Sequence, residues 1–186
     1  MTEDPGEVRS TDGLVLPGVG AFAAGMEGLK SRRLIDVISE AAQGNKPIIG
    51  ICLGAQLLLS RGHEFGEHKG LNLISGEVVH FPKIPQRVPH IGWNEIDQPD
   101  EVDWNGTILE NTGESPEMYF VHSYVMQPEN DGDILSQTTY GNFTFASAIR
   151  KGNVYGCQFH PEKSGEMGLN IIEKFVQLVE SFSKMH

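Results

Sequence analysis

The stretch Lys46-Pro-Ile-Ile-Gly-Ile-Cys-Leu-Gly-Ala-Gln-Leu-Leu-Leu-Ser60 decides the fold of this chain. Its apolar run at residues 47–51 predicts a short buried strand, and residues 56–59 predict the start of a helix. Cys52 therefore stands at a strand-to-helix turn, where glycines two positions to either side permit a nucleophile elbow. The N-terminus of the following helix favours a thiolate and an oxyanion beside it. A small buried thiol in a glycine-bounded turn is the alternative interpretation.

A second motif, Gly156-Cys-Gln-Phe-His-Pro-Glu-Lys-Ser164, ends another predicted strand near the other end of the chain. A thiol needs a base to become a nucleophile, and that base needs an orienting partner. His160 and Glu162 supply both groups, because alternate residues of an extended segment share one face. A lone histidine is more often a satisfied core residue, but the addition of Cys52 and Glu162 favours the catalytic interpretation.

Together these two motifs resemble the class I (triad) glutamine amidotransferases, whose Cys-His-Glu site hydrolyses glutamine and delivers ammonia to a partner. Within that class, the chain is most similar to the glutaminase subunits of imidazole glycerol phosphate synthase. Besides the motif that begins at His160, the segments that carry this closer likeness are Leu-Pro-Gly-Val-Gly-Ala-Phe at 16–22, Pro-His-Ile-Gly-Trp-Asn at 89–94 and Tyr-Phe-Val-His-Ser-Tyr at 119–124. The resemblance runs from about Thr2 to the C-terminus.

The resemblance implies a role for each residue that matches the family's motifs. It implies that the catalytic residues are Cys52, His160 and Glu162. It implies that the oxyanion is held by the backbone N–H groups of Val19 and Leu53, and that glutamine is bound by Gly20, Gln56, Glu64, Ser123 and Tyr124. It places a partner interface at Trp93 and His122. The residues alone leave three alternative interpretations: a plain turn around Val19, a solvated loop carboxylate at Glu64 and a core position for Trp93.

Composition and charge argue against several other classes of function. The chain has 186 residues, 39% of them hydrophobic, and is most simply one domain spanning residues 1–186. A formal net charge of -11 argues against nucleic acid or an anionic membrane as a partner. Two cysteines without framework spacing and no visible signal peptide predict a reducing, cytoplasmic location. The scattered histidines lack the spacing of a metal site, and we expect no metal and no cofactor.

The alternation of strands and helices predicts an α/β fold: a three-layer, parallel-core mixed sheet flanked by helices, with an added antiparallel layer. We expect a helix over 23–43, a polar loop over 61–69 and a hairpin around Lys151 and Gly152. Further strands are expected over 70–81, 90–96 and 118–126. Ser164 is expected to cap the last helix, whose predicted core stripe is Leu169, Ile172, Phe175, Val176, Val179 and Phe182. Relative to the family, an opening strand-helix-strand is missing before the region that Thr2 resembles.

In the resembled subunit, ammonia passes to a (β/α)8-barrel cyclase as the second subunit of a heterodimer, which assigns the chain to histidine biosynthesis. Relatives of that subunit also supply ammonia to amidotransferases of surface-polysaccharide sugars, and the length of the 64–71 loop leans mildly that way. A catalytically inactive scaffold subunit is the alternative from another class. A generic cysteine hydrolase, such as a peptidase, is a weaker one.

Overall fold

The computed structural model describes residues 2–185. The helices are α1 (Pro5–Ser10), α2 (Phe22–Ser31), α3 (Leu34–Gln43), α4 (Leu53–Leu57) and α5 (Gly165–Ser183), with short 3-10 helices at Asp131–Asp133 and Pro161–Lys163. The strands are β1 (Leu14–Gly18), β2 (Ile48–Cys52), β3 (Arg61–Gly62), β4 (His68–Lys69), β5 (Gly76–His80), β6 (His90–Glu95), β7 (Glu117–His122), β8 (Tyr124–Pro128), β9 (Ile134–Tyr140), β10 (Phe143–Lys151) and β11 (Val154–Cys157). None of the helices within 2–185 is long and apolar enough to cross a membrane.

Nine of the described strands form one mixed sheet in the order β1-β2-β11-β10-β8-β5-β3-β4, with β9 paired to β10. The strands β1, β2 and β11 run parallel to one another, whereas β10, β8 and β5 continue the sheet through antiparallel pairs. A separate antiparallel pair, β6 and β7, lies beside this sheet. The predicted parallel core with an added antiparallel layer is therefore confirmed.

Neighbouring residues of the central strands face two different hydrophobic cores, as the period of a strand requires. Ile48 of β2 and Val154 of β11 belong to the cluster that includes α2, α3 and α4. Ile49 and Tyr155, one residue further along the same strands, belong to the cluster that includes α5. The parallel strands are thus covered on both faces, which makes three layers.

The helix predicted near the N-terminus is wrong in its bounds, and a further helix there was not predicted. The expected single helix over 23–43 is two helices, α2 and α3, because Arg33 adopts a left-handed conformation with φ 57°. Apolar spacing continues across this break, so the spacing alone does not reveal it. The polar segment before β1 also forms a short helix, α1, whose N-terminus is capped by the Asp4 carboxylate through the backbone N–H groups of Gly6 and Glu7 at 2.7 and 3.0 Å.

Several predicted strands also differ from the structure. The expected loop over 61–69 contains a small hairpin of β3 and β4, and only Gly76–His80 of the predicted strand over 70–81 is extended. The predicted strand over 118–126 is interrupted at Ser123, so that β7 and β8 belong to different sheets. The predicted hairpin around Lys151 and Gly152 is present as β10 and β11.

The last helix matches the predicted stripe only in part, because Phe175 is buried and Val179 packs against the same core, but Leu169 and Val176 do not. Ile171 and Phe175 are buried, while Leu169 and Val176 are 58% and 47% exposed. Ser164 occupies the predicted N-cap position, but its hydroxyl makes no capping bond to the helix. It donates instead to the His160 carbonyl at 2.6 Å and accepts from the Tyr119 backbone N–H at 2.9 Å. That serine therefore fixes the backbone around His160.

Candidate active site

The parallel strands bring three separated segments to one edge of the sheet. Gly18 at the end of β1 pairs with Cys52 at the end of β2, and Cys157 at the end of β11 pairs with the neighbouring Ile51. Because the carboxyl ends of parallel strands meet at one edge, the residues that follow them surround a common space. This space is a cavity of about 480 Å³, lined by Val19, Gly20, Ala21, Cys52, Leu53, Gln56, Glu64, Val121, His122, Ser123, Tyr124, His160 and Lys163.

The turn at Cys52 has the conformation of a nucleophile elbow. Cys52 has φ 54° and ψ -111°, a combination that costs a non-glycine residue about 1–3 kcal/mol and persists only where the surroundings enforce it. A Cβ added at Gly50 would lie 2.6 Å from backbone atoms of Gly54, and one added at Gly54 would overlap the Leu16 carbonyl oxygen. Both glycines are therefore required by the close approach of the helix and the two strands.

The surroundings of Cys52 favour the protonated thiol over the thiolate. The side chain is buried, with 8% of the residue exposed, and its Sγ lies 3.8 Å from the Val121 carbonyl oxygen. Burial raises the pKa of the thiol, the Leu53 backbone N–H opposes that shift, and the charge of Glu162 adds to it. A base must consequently remove this proton before the sulfur can act as a nucleophile.

His160 is held in the orientation that a general base requires. Its Nδ1 lies 2.8 Å from Glu162 Oε1, so the N–H at that position donates to the carboxylate and leaves the lone pair on Nε2. That Nε2 atom is buried and has no hydrogen-bond partner within residues 2–185. The His160 backbone N–H donates to the Tyr119 carbonyl at 2.9 Å, which fixes the residue from a second side. Glu162 stands behind the imidazole and does not line the cavity.

The other end of the cavity carries a negative charge. Glu64 lies between β3 and β4, and its Oε2 accepts a hydrogen bond from the Phe22 backbone N–H at 2.7 Å, at the start of α2. Burial, and then the Glu64 charge, raise the pKa of the Tyr124 hydroxyl. A carboxylate anchored in this way suits the α-ammonium group of an amino acid. The predicted substrate residues Gly20, Gln56, Glu64, Ser123 and Tyr124 all line this cavity.

Two residues at this site had no assigned role in the sequence analysis, although both belong to a quoted motif. Lys163, from the His-Pro-Glu-Lys segment, lines the cavity. Gln158, two residues before the base, is fully buried and accepts a hydrogen bond from Gln56. Residue type and spacing do not distinguish such side chains from the packing residues around them.

The structure does not support the expected interface position of His122. The residue is 6% exposed and lines the cavity, with Nδ1 donating to the Tyr124 carbonyl at 2.8 Å. Its Nε2 lies 3.1 Å from Nδ1 of His90, which is 2% exposed. Burial lowers the pKa of His90 to about 4 and that of His122 to about 3, so both rings are neutral at pH 7.

Trp93, the other residue predicted at an interface, is 53% exposed on the outer face of β6. Its ring centroid lies 6.0 Å from that of Tyr119 on β7. Ile91 and Val121, paired across the same two strands, are 60% and 36% exposed. This apolar patch adjoins the cavity, because Val121 contributes to both. The interface role of Trp93 stays a prediction.

Comparison with solved structures agrees with the fold described above. A crystal structure of a glutamine amidotransferase superposes with a TM-score of 0.72 at 18% identity, over 96% of this chain and 85% of the other. The structure of PurLQS from Thermotoga maritima superposes with a TM-score of 0.62 at 18% identity, over 89% of this chain and 79% of the other. At these identities the likeness shows the fold alone.

Sequence comparison identifies the family. Residues 3–178 match the glutamine amidotransferase class-I family. The chain is 48% identical to imidazole glycerol phosphate synthase subunit HisH 1 of Legionella pneumophila strain Paris, over 96% of this chain and 86% of that protein. It is 44% identical to subunit HisH of Aquifex aeolicus strain VF5, over 98% of this chain and 86% of that protein. The chain therefore belongs to the class-I glutamine amidotransferase family and, within it, to the HisH subunits of imidazole glycerol phosphate synthase.

Proposed function

We propose that the chain hydrolyses L-glutamine to L-glutamate and ammonia through a thioester on Cys52, and that the ammonia passes to the cyclase subunit of imidazole glycerol phosphate synthase in histidine biosynthesis. The observation that carries the chemistry is the pairing of His160 with Glu162, which leaves His160 Nε2 unpartnered beside the cavity of Cys52. The 41–48% identity to HisH subunits supports the pathway.

The first half of the reaction forms the thioester. His160 Nε2 accepts the proton of Cys52, and the thiolate attacks the side-chain amide carbon of glutamine to give a tetrahedral oxyanion. The imidazolium returns that proton to the amide nitrogen as the carbon–nitrogen bond breaks. Ammonia leaves, and a γ-glutamyl thioester remains on Cys52. Glu162 stabilises the imidazolium between the two proton transfers and fixes its tautomer.

The second half of the reaction regenerates the thiol. His160 Nε2 accepts a proton from water, whose oxygen attacks the thioester carbon and forms a second tetrahedral oxyanion. The carbon–sulfur bond breaks, the sulfur takes the proton from the imidazolium, and L-glutamate leaves. The same histidine thus serves both halves, which agrees with its fixed orientation.

Backbone N–H groups at the elbow stabilise both oxyanions in this proposal. The Leu53 N–H begins α4 and already opposes the upward pKa shift of the Cys52 thiol, so it is directed toward developing negative charge. The second donor in the proposal is the Val19 backbone. Val19 lines the same cavity and is 83% exposed, at the end of β1 where Gly18 contacts the elbow.

The partner surface in this proposal is the apolar patch of Ile91, Trp93, Tyr119 and Val121. Exposed tryptophan and tyrosine side chains are frequent anchors of protein interfaces. The Val121 carbonyl oxygen is the hydrogen-bond acceptor of the Cys52 thiol, so a partner seated on this patch lies next to the site where ammonia is released. A (β/α)8-barrel cyclase and a reducing cytoplasm belong to the same proposal, on the resemblance of the chain to the family.

The proposal is tested on the complex of this chain with its cyclase. We expect the Cys52→Ala complex to lose synthase activity with glutamine as nitrogen donor and to keep it with an added ammonium salt. Cys157→Ala is the matched control, because Cys157 is also a buried free thiol but lies outside the cavity. Glutamine-dependent activity that is unchanged in Cys52→Ala would contradict hydrolysis of glutamine on Cys52. Stimulation of glutaminase activity by a polysaccharide amidotransferase alone would reassign the pathway.

A further inference from the structure

Gln158 precedes His160 by two residues and is hydrogen-bonded to Gln56, which lines the cavity. It follows β11 directly, and its backbone N–H donates to the Ser147 carbonyl of β10 at 2.9 Å. Its side chain is completely buried and does not line the cavity. Any effect of Gln158 on the reaction must therefore act through another residue.

That other residue is Gln56, which lies one helical turn after Cys52 and lines the cavity. The Gln56 Nε2 atom donates to Gln158 Oε1 at 2.9 Å and to the Tyr124 carbonyl at 3.2 Å. A carboxamide nitrogen has two N–H donors, so these two bonds use both of them. Gln56 is left with Oε1 alone, which accepts hydrogen bonds and does not donate them.

We propose that Gln158 is a positioning residue that fixes the Gln56 amide so that an acceptor oxygen faces the bound substrate. The inference rests on the proposed glutaminase function and deepens it. Substrate glutamine presents donors at its α-ammonium and carboxamide NH2 groups and acceptors at its carboxylate and carboxamide oxygens. An acceptor at Gln56, in the same cavity as the Glu64 carboxylate, selects the donor groups of the substrate.

The hydrogen-bond count of Gln158 indicates that it does not serve stability alone. Its Oε1 is used by Gln56, whereas its Nε2 is buried and has no partner within residues 2–185. A buried donor without a partner destabilises the folded state. An apolar side chain of similar length at this position would avoid that cost but would release one N–H of Gln56. The polar group is therefore better explained by the orientation of Gln56.

The test is the glutamine dependence of glutamate release by the complex. Loss of one hydrogen bond that orders a substrate contact predicts that Gln158→Met raises KM for glutamine about ten-fold, with kcat changed by less than about two-fold. Gln158→Glu keeps an oxygen facing Gln56 and is expected to hold KM within about three-fold of the wild-type value. Thermal unfolding of each variant confirms that it is folded.

Tyr155→Phe is the matched control. Tyr155 is on β11, the strand that Gln158 directly follows, and it is fully buried outside the cavity. Like Gln158, it carries a polar atom, its hydroxyl, that has no hydrogen-bond partner in the described residues. We expect removal of the Tyr155 hydroxyl to leave KM for glutamine unchanged. If Gln158 acts through Gln56, the substitution Gln158→Met in a Gln56→Met background produces no further rise in KM.

Three results would overturn the role of Gln158 while leaving the proposed function intact. The first is Cys52-dependent hydrolysis by Gln158→Met with an unchanged KM for glutamine. The second is that Gln158→Met raises KM by the same factor in the Gln56→Met background as in the wild type. The third is an equal KM for the Gln158→Met and Gln158→Glu variants. A wild-type complex that releases no glutamate in a Cys52-dependent manner would overturn the proposed function and this inference together.

Discussion

His160 Nδ1 and Glu162 Oε1 lie 2.8 Å apart, although the two residues differ sharply in their surroundings. The histidine ring is 5% exposed, and the glutamate side chain is 43% exposed. The carboxylate thus keeps contact with water, which limits the cost of its charge, while the imidazole it orients is shielded. The carboxylate of the pair therefore lies outside the cavity, and the histidine that it orients lines the cavity.

This arrangement predicts the effect of Glu162→Gln. The neutral amide no longer stabilises the imidazolium, so we expect kcat of glutamate release to fall about 100-fold or more, with KM nearly unchanged. Initial rates over a range of glutamine concentrations measure both constants. Glu166→Gln, an exposed glutamate in the first turn of α5, is the control and should behave like the wild type. Equal rates for the two variants would exclude the assigned role of Glu162.

Glu64→Gln separates charge from geometry at the substrate end. The carbonyl oxygen of the introduced side-chain amide still accepts the hydrogen bond from the Phe22 backbone N–H, but the negative charge is lost. We expect KM for glutamine to rise about ten-fold or more, because a charge-assisted contact to the α-ammonium becomes a neutral one. Glu67→Gln, on the same hairpin and outside the cavity, is the control. An unchanged KM in Glu64→Gln would show that the ammonium is bound elsewhere.

The pKa shift of Cys52 predicts how the resting thiol reacts with an alkylating agent. Because burial raises its pKa above the ordinary value of 9.0, only a small fraction is thiolate at pH 7. The rate of alkylation by iodoacetamide should increase steadily from pH 7 to beyond pH 9 in the chain without substrate or partner. The Cys157→Ala background leaves Cys52 as the only thiol. A rate that is already independent of pH between 6 and 8 would contradict a protonated resting thiol.

The neutral histidine pair predicts an acid-sensitive fold. The pKa of His90 is lowered to about 4 and that of His122 to about 3, against 6.5 for an ordinary histidine. Below pH 6.5 the unfolded chain therefore binds more protons at these two residues than the folded chain does. The stability these residues contribute is complete above pH 6.5 and is lost as the pH falls toward 3–4. Between pH 7.5 and 5.5 we expect each to lower the free energy of unfolding by about 1.3 kcal/mol.

Urea unfolding at several pH values measures this dependence. His90→Phe retains an aromatic ring against Tyr140 and Phe120, which stack on His90 with centroid distances of 4.0 and 4.8 Å, and removes one of the two titrating groups. The slope of unfolding free energy against pH in this range should therefore become shallower than in the wild type. An identical slope in wild type and variant would contradict the assigned protonation state of His90.

Sequence patterns predicted the parallel core and the position of Cys52 at a strand-to-helix turn because both depend on local signals. The apolar run before Cys52 has the length and composition of a buried strand, and the glycines beside it mark a tight turn. The family motifs then located His160 and Glu162, far along the chain. The structure adds the physical reason these segments meet, namely the parallel pairing of β1, β2 and β11.

Other features depend on contacts that are distant in sequence, and local patterns do not encode them. The break at Arg33 lies within continuous apolar spacing, and the buried stripe of α5 is set by the strands and loops it meets. The bond between Gln56 and Gln158 joins residues 102 positions apart. The single-domain organisation and the individual site roles remain predictions for experiment.

The most direct test of the central claim is to detect the thioester itself. The complex is incubated with glutamine, quenched in acid and digested, and the peptide that contains Cys52 is examined by mass spectrometry. We predict a γ-glutamyl adduct on Cys52 that hydroxylamine removes, that is absent from Cys52→Ala and that accumulates when His160→Asn slows hydrolysis. Glutamate release at the wild-type rate by Cys52→Ala, with no adduct on any peptide, would contradict covalent catalysis by this cysteine.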